Sequence, residues 1–226
     1  MTYLVVPVAR SGAGEGVLTF PKSSFTPNAH QVIMSEFKLY SRETAPAESR
    51  PLLEKVQAAY GFTPNLMATL AESPQALEAY LTLNRLVSES SLTPQEQQVA
   101  ILAASVENRC EYCVAAHTVA AGMRRVPADV IEALRNETAV PDDRFAALAR
   151  FTREVVRERG WISGDKLSAF LRAGFTNRQV VEVLMAIAQK TLSNYLNHIA
   201  RTPLDGAFSS AKWSAQTSDV LAAATG

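Results

Sequence analysis

From about residue 48 onward, apolar side chains recur every three or four positions, the spacing of one face of an α-helix. Leu77, Tyr80, Leu81, Asn84 and Val87 form one such face, broken only by Asn84. Phe145, Leu148, Phe151, Thr152, Val155 and Val156 form a second, opened by Asp142 and stopped at Gly160. Val180, Leu184, Ile187, Thr191, Tyr195 and Ile199 trace a stripe down a long, mostly apolar helix, which this pattern places at the centre of the fold. Thr63-Pro64, Ser73-Pro74 and Thr93-Pro94 each set a capping hydroxyl before a proline suited to the first helical position. Thr93 with Glu96, and Thr176 with Gln179, make capping boxes. No strand alternation survives in this region. The expectation is an all-α chain folded as a single multihelical domain.

The first thirty-odd residues read differently, because Gly, Pro, Ser and Asn gather there. The alternating glycines of Ser11 to Gly16 are not a phosphate loop, since no helical pattern follows them. The expected organisation is a flexible N-terminal extension (1–33), a helical domain (34–212) and a C-terminal tail (213–226), with Met34 a second candidate start. The carboxy half faintly echoes the amino half. Setting His198 on His117 places Thr191 and Asn194 at the positions of Cys110 and Cys113, as a duplicated helical unit would.

Composition narrows the setting. At 226 residues, 47% apolar and 19% charged, the chain can bury a sizeable core. Lys and Arg balance Asp and Glu at 22 each, so no global field draws nucleic acid or an anionic membrane. No apolar run approaches the ~20 residues of a membrane span. The stretch from Met1 to Pro7 lacks the basic region of a signal peptide. Two cysteines are too few for a secreted disulfide framework, so a reducing, cytoplasmic setting is expected.

Those two cysteines carry the chemistry. Cys110, Cys113 and His117 follow one another as C-x-x-C-x-x-x-H. Asn108-Arg109 reads as a break between helices, putting Cys110 at a helix N-terminus, where unpaired N–H groups and the dipole favour a thiolate. An i, i+3 pair has its Cα atoms ~5 Å apart, within reach of a disulfide. His117 lies four residues beyond Cys113 on the same face. The spacing supports Cys113 as the thiol that meets a hydroperoxide, Cys110 as the thiol that resolves the sulfenic acid to a disulfide, and His117 as the base. Sulfur itself supplies the redox chemistry, so no cofactor is expected.

Other readings of the same residues are weaker. Structural zinc needs four ligands and this cluster supplies three; His198 or His30 would have to complete it. Haem attachment needs histidine directly after the second cysteine, where Val114 stands. A pair of inert buried thiols is the plain alternative. Asn194, Tyr195 and His198 form a polar cluster on the long helix, either satisfied within the core or lining a pocket near Cys113. Tyr112 reads as a packing residue. Arg109 either favours the thiolate or is a solvated turn residue, and Lys190 and Arg201 carry no special spacing.

The segments Leu92-Thr93-Pro94-Gln95-Glu96, Ala100 to Ser105 and Glu107 to His117 resemble the AhpD-like, or carboxymuconolactone decarboxylase-like, proteins. The likeness is detailed over residues 92–123 and holds in outline over 48–200. It implies an AhpD-like all-α subunit that assembles as a homotrimer or homohexamer. It also implies a thiol-dependent alkyl hydroperoxidase acting on an organic hydroperoxide, re-reduced by a dithiol or thioredoxin-like donor. The lactone decarboxylases of the superfamily typically lack the cysteine pair. The alternatives are such a lyase, working through His117 or His198, or a redox-responsive oligomer without turnover. One departure stands out: where well-understood members have a glutamate relaying protons to the histidine, this chain has Gln98, twelve residues before Cys110. Glutamine cannot accept a proton. Glu107, three residues before Cys110, and Glu96, the capping-box acid, are the candidate substitutes.

Overall fold

The computed structural model describes residues 37–215, and no strand occurs among them. The expected extension over 1–33, the Met34 start and the tail beyond 215 lie outside the described residues. After a short 3-10 turn, Ala47–Ser49, nine α-helices follow: α1 Arg50–Tyr60, α2 Asn65–Leu70, α3 Pro74–Ser88, α4 Pro94–Glu107, α5 Glu111–Met123, α6 Ala128–Arg135, α7 Asp143–Arg157, α8 Gly164–Arg172 and α9 Asn177–Ala200. A second 3-10 turn, Gly206–Ala211, closes the described chain. No helix among the described residues is long and apolar enough to cross a membrane.

The centre is α4. From Val99 to Val106 every residue is buried, so this helix is apolar on all sides and can only sit inside the fold. It packs against α3, α5, α6, α7 and α9. Its start is fixed by the expected capping box: Glu96 N–H donates to Thr93 Oγ1 (3.2 Å) and Thr93 N–H to Glu96 Oε2 (2.8 Å). Glu96 also accepts from Arg144 Nε at 2.6 Å. The same guanidinium lies 3.9 Å over the Phe175 ring, which stacks on Phe170, itself stacked on Phe151. One charged side chain thus links the start of α4 to an aromatic column across α7 and α8.

Two large apolar clusters result. One surrounds α4 with α6, α7, α8 and the start of α9. The other gathers Leu53, Val56, Leu66, Met67, Leu77 and Tyr80 of α1–α3 around Cys110, Tyr112 and Cys113.

Ser73, Thr93, Asp142 and Thr176 cap their helices as expected. Thr63 does not. Helix α2 starts at Asn65, whose N–H is taken by the remote Asp205 carboxylate (3.1 Å), while the Thr63 hydroxyl turns to Gln57. The long helix α9 packs against α3 and α4, but of its apolar stripe only Val180 and Ile187 pack against the first cluster, and the fully buried face is a different one. Leu184, Tyr195 and Ile199 point outward, Ile199 71% exposed, and the buried face is Val183, Ala186, Gln189, Lys190, Ser193, Asn194 and Asn197. Trp213 is packed in the first cluster and donates from Nε1 to the Arg135 carbonyl, so order persists past the expected boundary at 212.

Candidate thiol active site

The expected break after α4 is a tight helix-to-helix junction. Arg109 takes a left-handed conformation (φ 55°), its N–H bonds the Val106 carbonyl, and the Cys110 N–H bonds the Ser105 carbonyl (3.0 Å). This is a Schellman end to α4 made without glycine. Cys110 at once becomes the residue before α5, and its carbonyl accepts from Val114 N–H at 2.9 Å. Cys113 then falls in the first turn of α5, where the helix dipole favours an anion. Both thiols are free, and each is 1% exposed.

Helix α9 presents its polar face to this pair. Asn197 Nδ2 lies 3.3 Å from Cys113 Sγ and 3.8 Å from Cys110 Sγ, and Ser193 Oγ lies 3.9 Å from Cys113 Sγ. Asn194 accepts from Asn108 Nδ2 (2.9 Å), tying α9 to the junction. Burial opposes ionisation of Cys113. The hydrogen bond from the Cys110 thiol, the Lys190 charge and contacts with Ser193 and Asn194 outweigh it and bring the thiol below its usual value. Cys110 is driven the other way, upward, by its hydrogen bond to Cys113 and by burial. The environment favours the thiolate form at Cys113 and the thiol form at Cys110.

His117 stands on the same face of α5, four residues on from Cys113. Its Nδ1 is 3.2 Å from Gln98 Oε1 and its Nε2 is 2.8 Å from Lys190 Nζ. Burial, then the neighbouring Lys190 charge, hold its pKa well below the ordinary histidine range, so the ring is neutral. Lys190 itself is 0% exposed. Beyond the sulfurs, Tyr80 is buried against the pair, and Gln189 links through Asn84 to Tyr60. Burial, with the nearby Cys113, keeps the Tyr80 phenol protonated.

Residues 74–154 match the model of the carboxymuconolactone decarboxylase family. By fold this chain is AhpD-like. Among solved structures it resembles the AhpD core of an uncharacterised peroxidase-related protein from Ralstonia eutropha JMP134, at 23% identity and a TM-score of 0.69, covering 77% of this chain and 94% of that one. A peroxidase-related protein from Silicibacter sp. TM1040 is similar at 19% identity and a TM-score of 0.66, covering 76% and 92%. So is the debrominase Bmp8, in a variant bound to 2,3,4-tribromopyrrole, at 17% identity and a TM-score of 0.64, covering 77% and 94%. These likenesses establish the fold. Among curated proteins, none matches the sequence.

In this AhpD-like chain the structure brings together Cys110, Cys113, His117 and Gln98. It leaves the other candidates elsewhere. The Glu107 carboxylate faces away from the thiols and is held by Arg157, at 2.9 Å from both Nε and Nη2. Glu96 is spent on the α4 cap and Arg144. Tyr195 and His198 lie on the exposed side of α9, because the polar side of that helix, not its apolar side, turns inward. Tyr112 is anchored: its hydroxyl donates to Asp205 Oδ2 (2.6 Å) and accepts from Leu66 N–H. Sequence reasoning gave Lys190 no role and missed Ser193 and Asn197. The available signal was their spacing at i, i+3 and i+7, a polar stripe on a helix that has to be buried somewhere. Two clefts, of about 220 and 400 Å³, run along α7 and share no lining residue with the thiol site.

Proposed function

We propose that this AhpD-like chain is a thiol-dependent hydroperoxide reductase. The observation that supports it is the asymmetry at the cysteine pair: the Asn197 amide of α9 donates more closely to Cys113 than to Cys110, whose thiol form is favoured by its bond to Cys113 and by burial. The Cys113 thiolate attacks the terminal oxygen of an organic hydroperoxide. The O–O bond breaks, Cys113 becomes a sulfenic acid, and the alkoxide leaves as the alcohol after taking a proton from water. Cys110 then attacks the oxidised sulfur. The S–S bond forms, and the sulfenic oxygen departs as water with the Cys110 proton. A dithiol or thioredoxin-like donor returns both thiols, giving its own disulfide.

The test is a count of free thiols in the denatured chain before and after one equivalent of an organic hydroperoxide. The expected result is loss of both thiols in the wild type, with Cys113→Ser inert and Cys110→Ser halting at a sulfenic acid. Two thiols still free in the wild type would overturn the reading. Turnover of a bromopyrrole in place of the peroxide would move the assignment to reductive dehalogenation at the same sulfur.

A further inference from the structure

Lys190 is the feature of the site that the peroxidase reading leaves unused. A fully buried ammonium is expensive unless an anion answers it. No carboxylate pairs with Lys190 among the described residues; its hydrogen bond is to His117 Nε2 at 2.8 Å. That contact also settles the imidazole. Gln98 Oε1 is an acceptor, so His117 Nδ1 carries the hydrogen, and the Nε2 lone pair is directed at an ammonium that can only donate. A histidine in this state has no free lone pair for the Cys113 proton. Meanwhile Lys190 shares one face of α9 with Ser193, Asn194 and Asn197, and Ser193 and Asn197 contact the Cys113 sulfur.

We infer that Lys190 is the charge partner of the Cys113 thiolate, and that Gln98 and His117 form a neutral bracket that positions it. The inference rests on Cys113 as the reactive sulfur, but not on the peroxide being its substrate. It explains why glutamine is adequate at position 98. A carboxylate there would draw His117 toward the imidazolium form and set two cations against each other. A glutamine oxygen fixes the tautomer without adding charge. Lys190 acts here as a positioning residue, through its field on the sulfur. The other titratable groups around the pair are Cys110 just before α5, His117 from α5 and Tyr80 from α3, with Tyr60 beyond Asn84 and the Tyr112–Asp205 pair.

The experiment follows thiolate absorbance against pH in full-length chain carrying Cys110→Ser, so that a single thiol titrates. Lys190→Gln keeps an N–H donor for His117 but removes the charge, and Lys190→Arg restores it. The titration midpoint is expected to rise by about 1–3 pH units in the glutamine variant and to return toward its starting value in the arginine variant. An unchanged midpoint in a folded Lys190→Gln chain would overturn the inference. Should that variant not fold, the unmodified protein still decides. Nitrogen NMR at neutral pH is expected to show His117 as the neutral Nδ1–H tautomer, and an Nε2–H tautomer or an imidazolium would equally overturn it. Peroxide turnover is scored separately. A Lys190-dependent midpoint without turnover removes the peroxidase reading and keeps this one. Turnover with a midpoint indifferent to Lys190 does the reverse.

Discussion

His117 shows how much a single side chain can reveal through its proton. Folding lowers its affinity for a proton, by burial and by the nearby Lys190 charge, relative to the ordinary value of 6.5. Below that pH the unfolded chain binds a proton that the folded chain refuses, so the unfolded state gains. Stability attributable to His117 is therefore complete above about pH 6.5 and drains away as the pH falls, by about 1 kcal/mol per pH unit, until the folded ring protonates. His117→Gln should remove this component. Urea unfolding at about pH 7 and about pH 5 should show a smaller acid loss in the variant than in the wild type. Equal losses would mean that His117 is not held neutral. Asn197 matters for a different reason: one amide touches both sulfurs, so it senses their separation as well as their charge.

At the level of elements, the α4–α5 junction and the start of α2 are held by one polar chain. Tyr112, between the two cysteines, donates to Asp205, and Asp205 in turn accepts from the Asn65 N–H, while Leu66 N–H donates to the phenol. Burial and the bond to Asp205 keep that phenol protonated. Tyr112→Phe strips a half-buried carboxylate of a donor and leaves a backbone N–H bare. The expected loss is about 1–3 kcal/mol, read as a lower urea midpoint, with the peroxide reaction of the two thiols retained. Loss of the thiol reaction along with stability would assign Tyr112 a part in the chemistry.

The same elements show what could be read in advance. The helices, four of the caps and the break at Asn108-Arg109 were legible, because they follow from local spacing and hydrogen-bonding capacity. So was the grouping of Cys110, Cys113 and His117, which one helix imposes on its own residues. What α9 contributes was not. Its apolar stripe through Leu184, Tyr195 and Ile199 faces outward, and its polar stripe faces the sulfurs. Hydrophobic periodicity finds a helix, but it identifies the inward face only when the core is apolar. Here the side of the thiols that α9 covers is polar, while α1–α3 close the other side with apolar groups. Glu107 misled in a similar way. Three residues before Cys110 is close in sequence, yet the left-handed turn at Arg109 sends the two side chains apart, and Arg157 of α7 collects the carboxylate.

For the molecule as a whole, the polar surroundings of Cys113 have a thermodynamic consequence. Asn197, Ser193 and the Lys190 charge favour a sulfur that carries negative charge, and a disulfide sulfur carries none. These contacts therefore lower the energy of the reduced chain and leave the oxidised chain without the same benefit. Closing the cycle, the pair should be a ready oxidant, more easily reduced than a structural disulfide, whose potential lies below about −300 mV. Equilibration against glutathione should place the wild type above that mark and Asn197→Leu lower, with each ~30 mV of difference equal to about 1.4 kcal/mol. Equal potentials in the two chains would show that the amide is indifferent to oxidation state. A buried polar stripe on one helix thus works as a bias on electron flow: it makes two thiols the resting condition and the disulfide a brief interval between donor and oxidant.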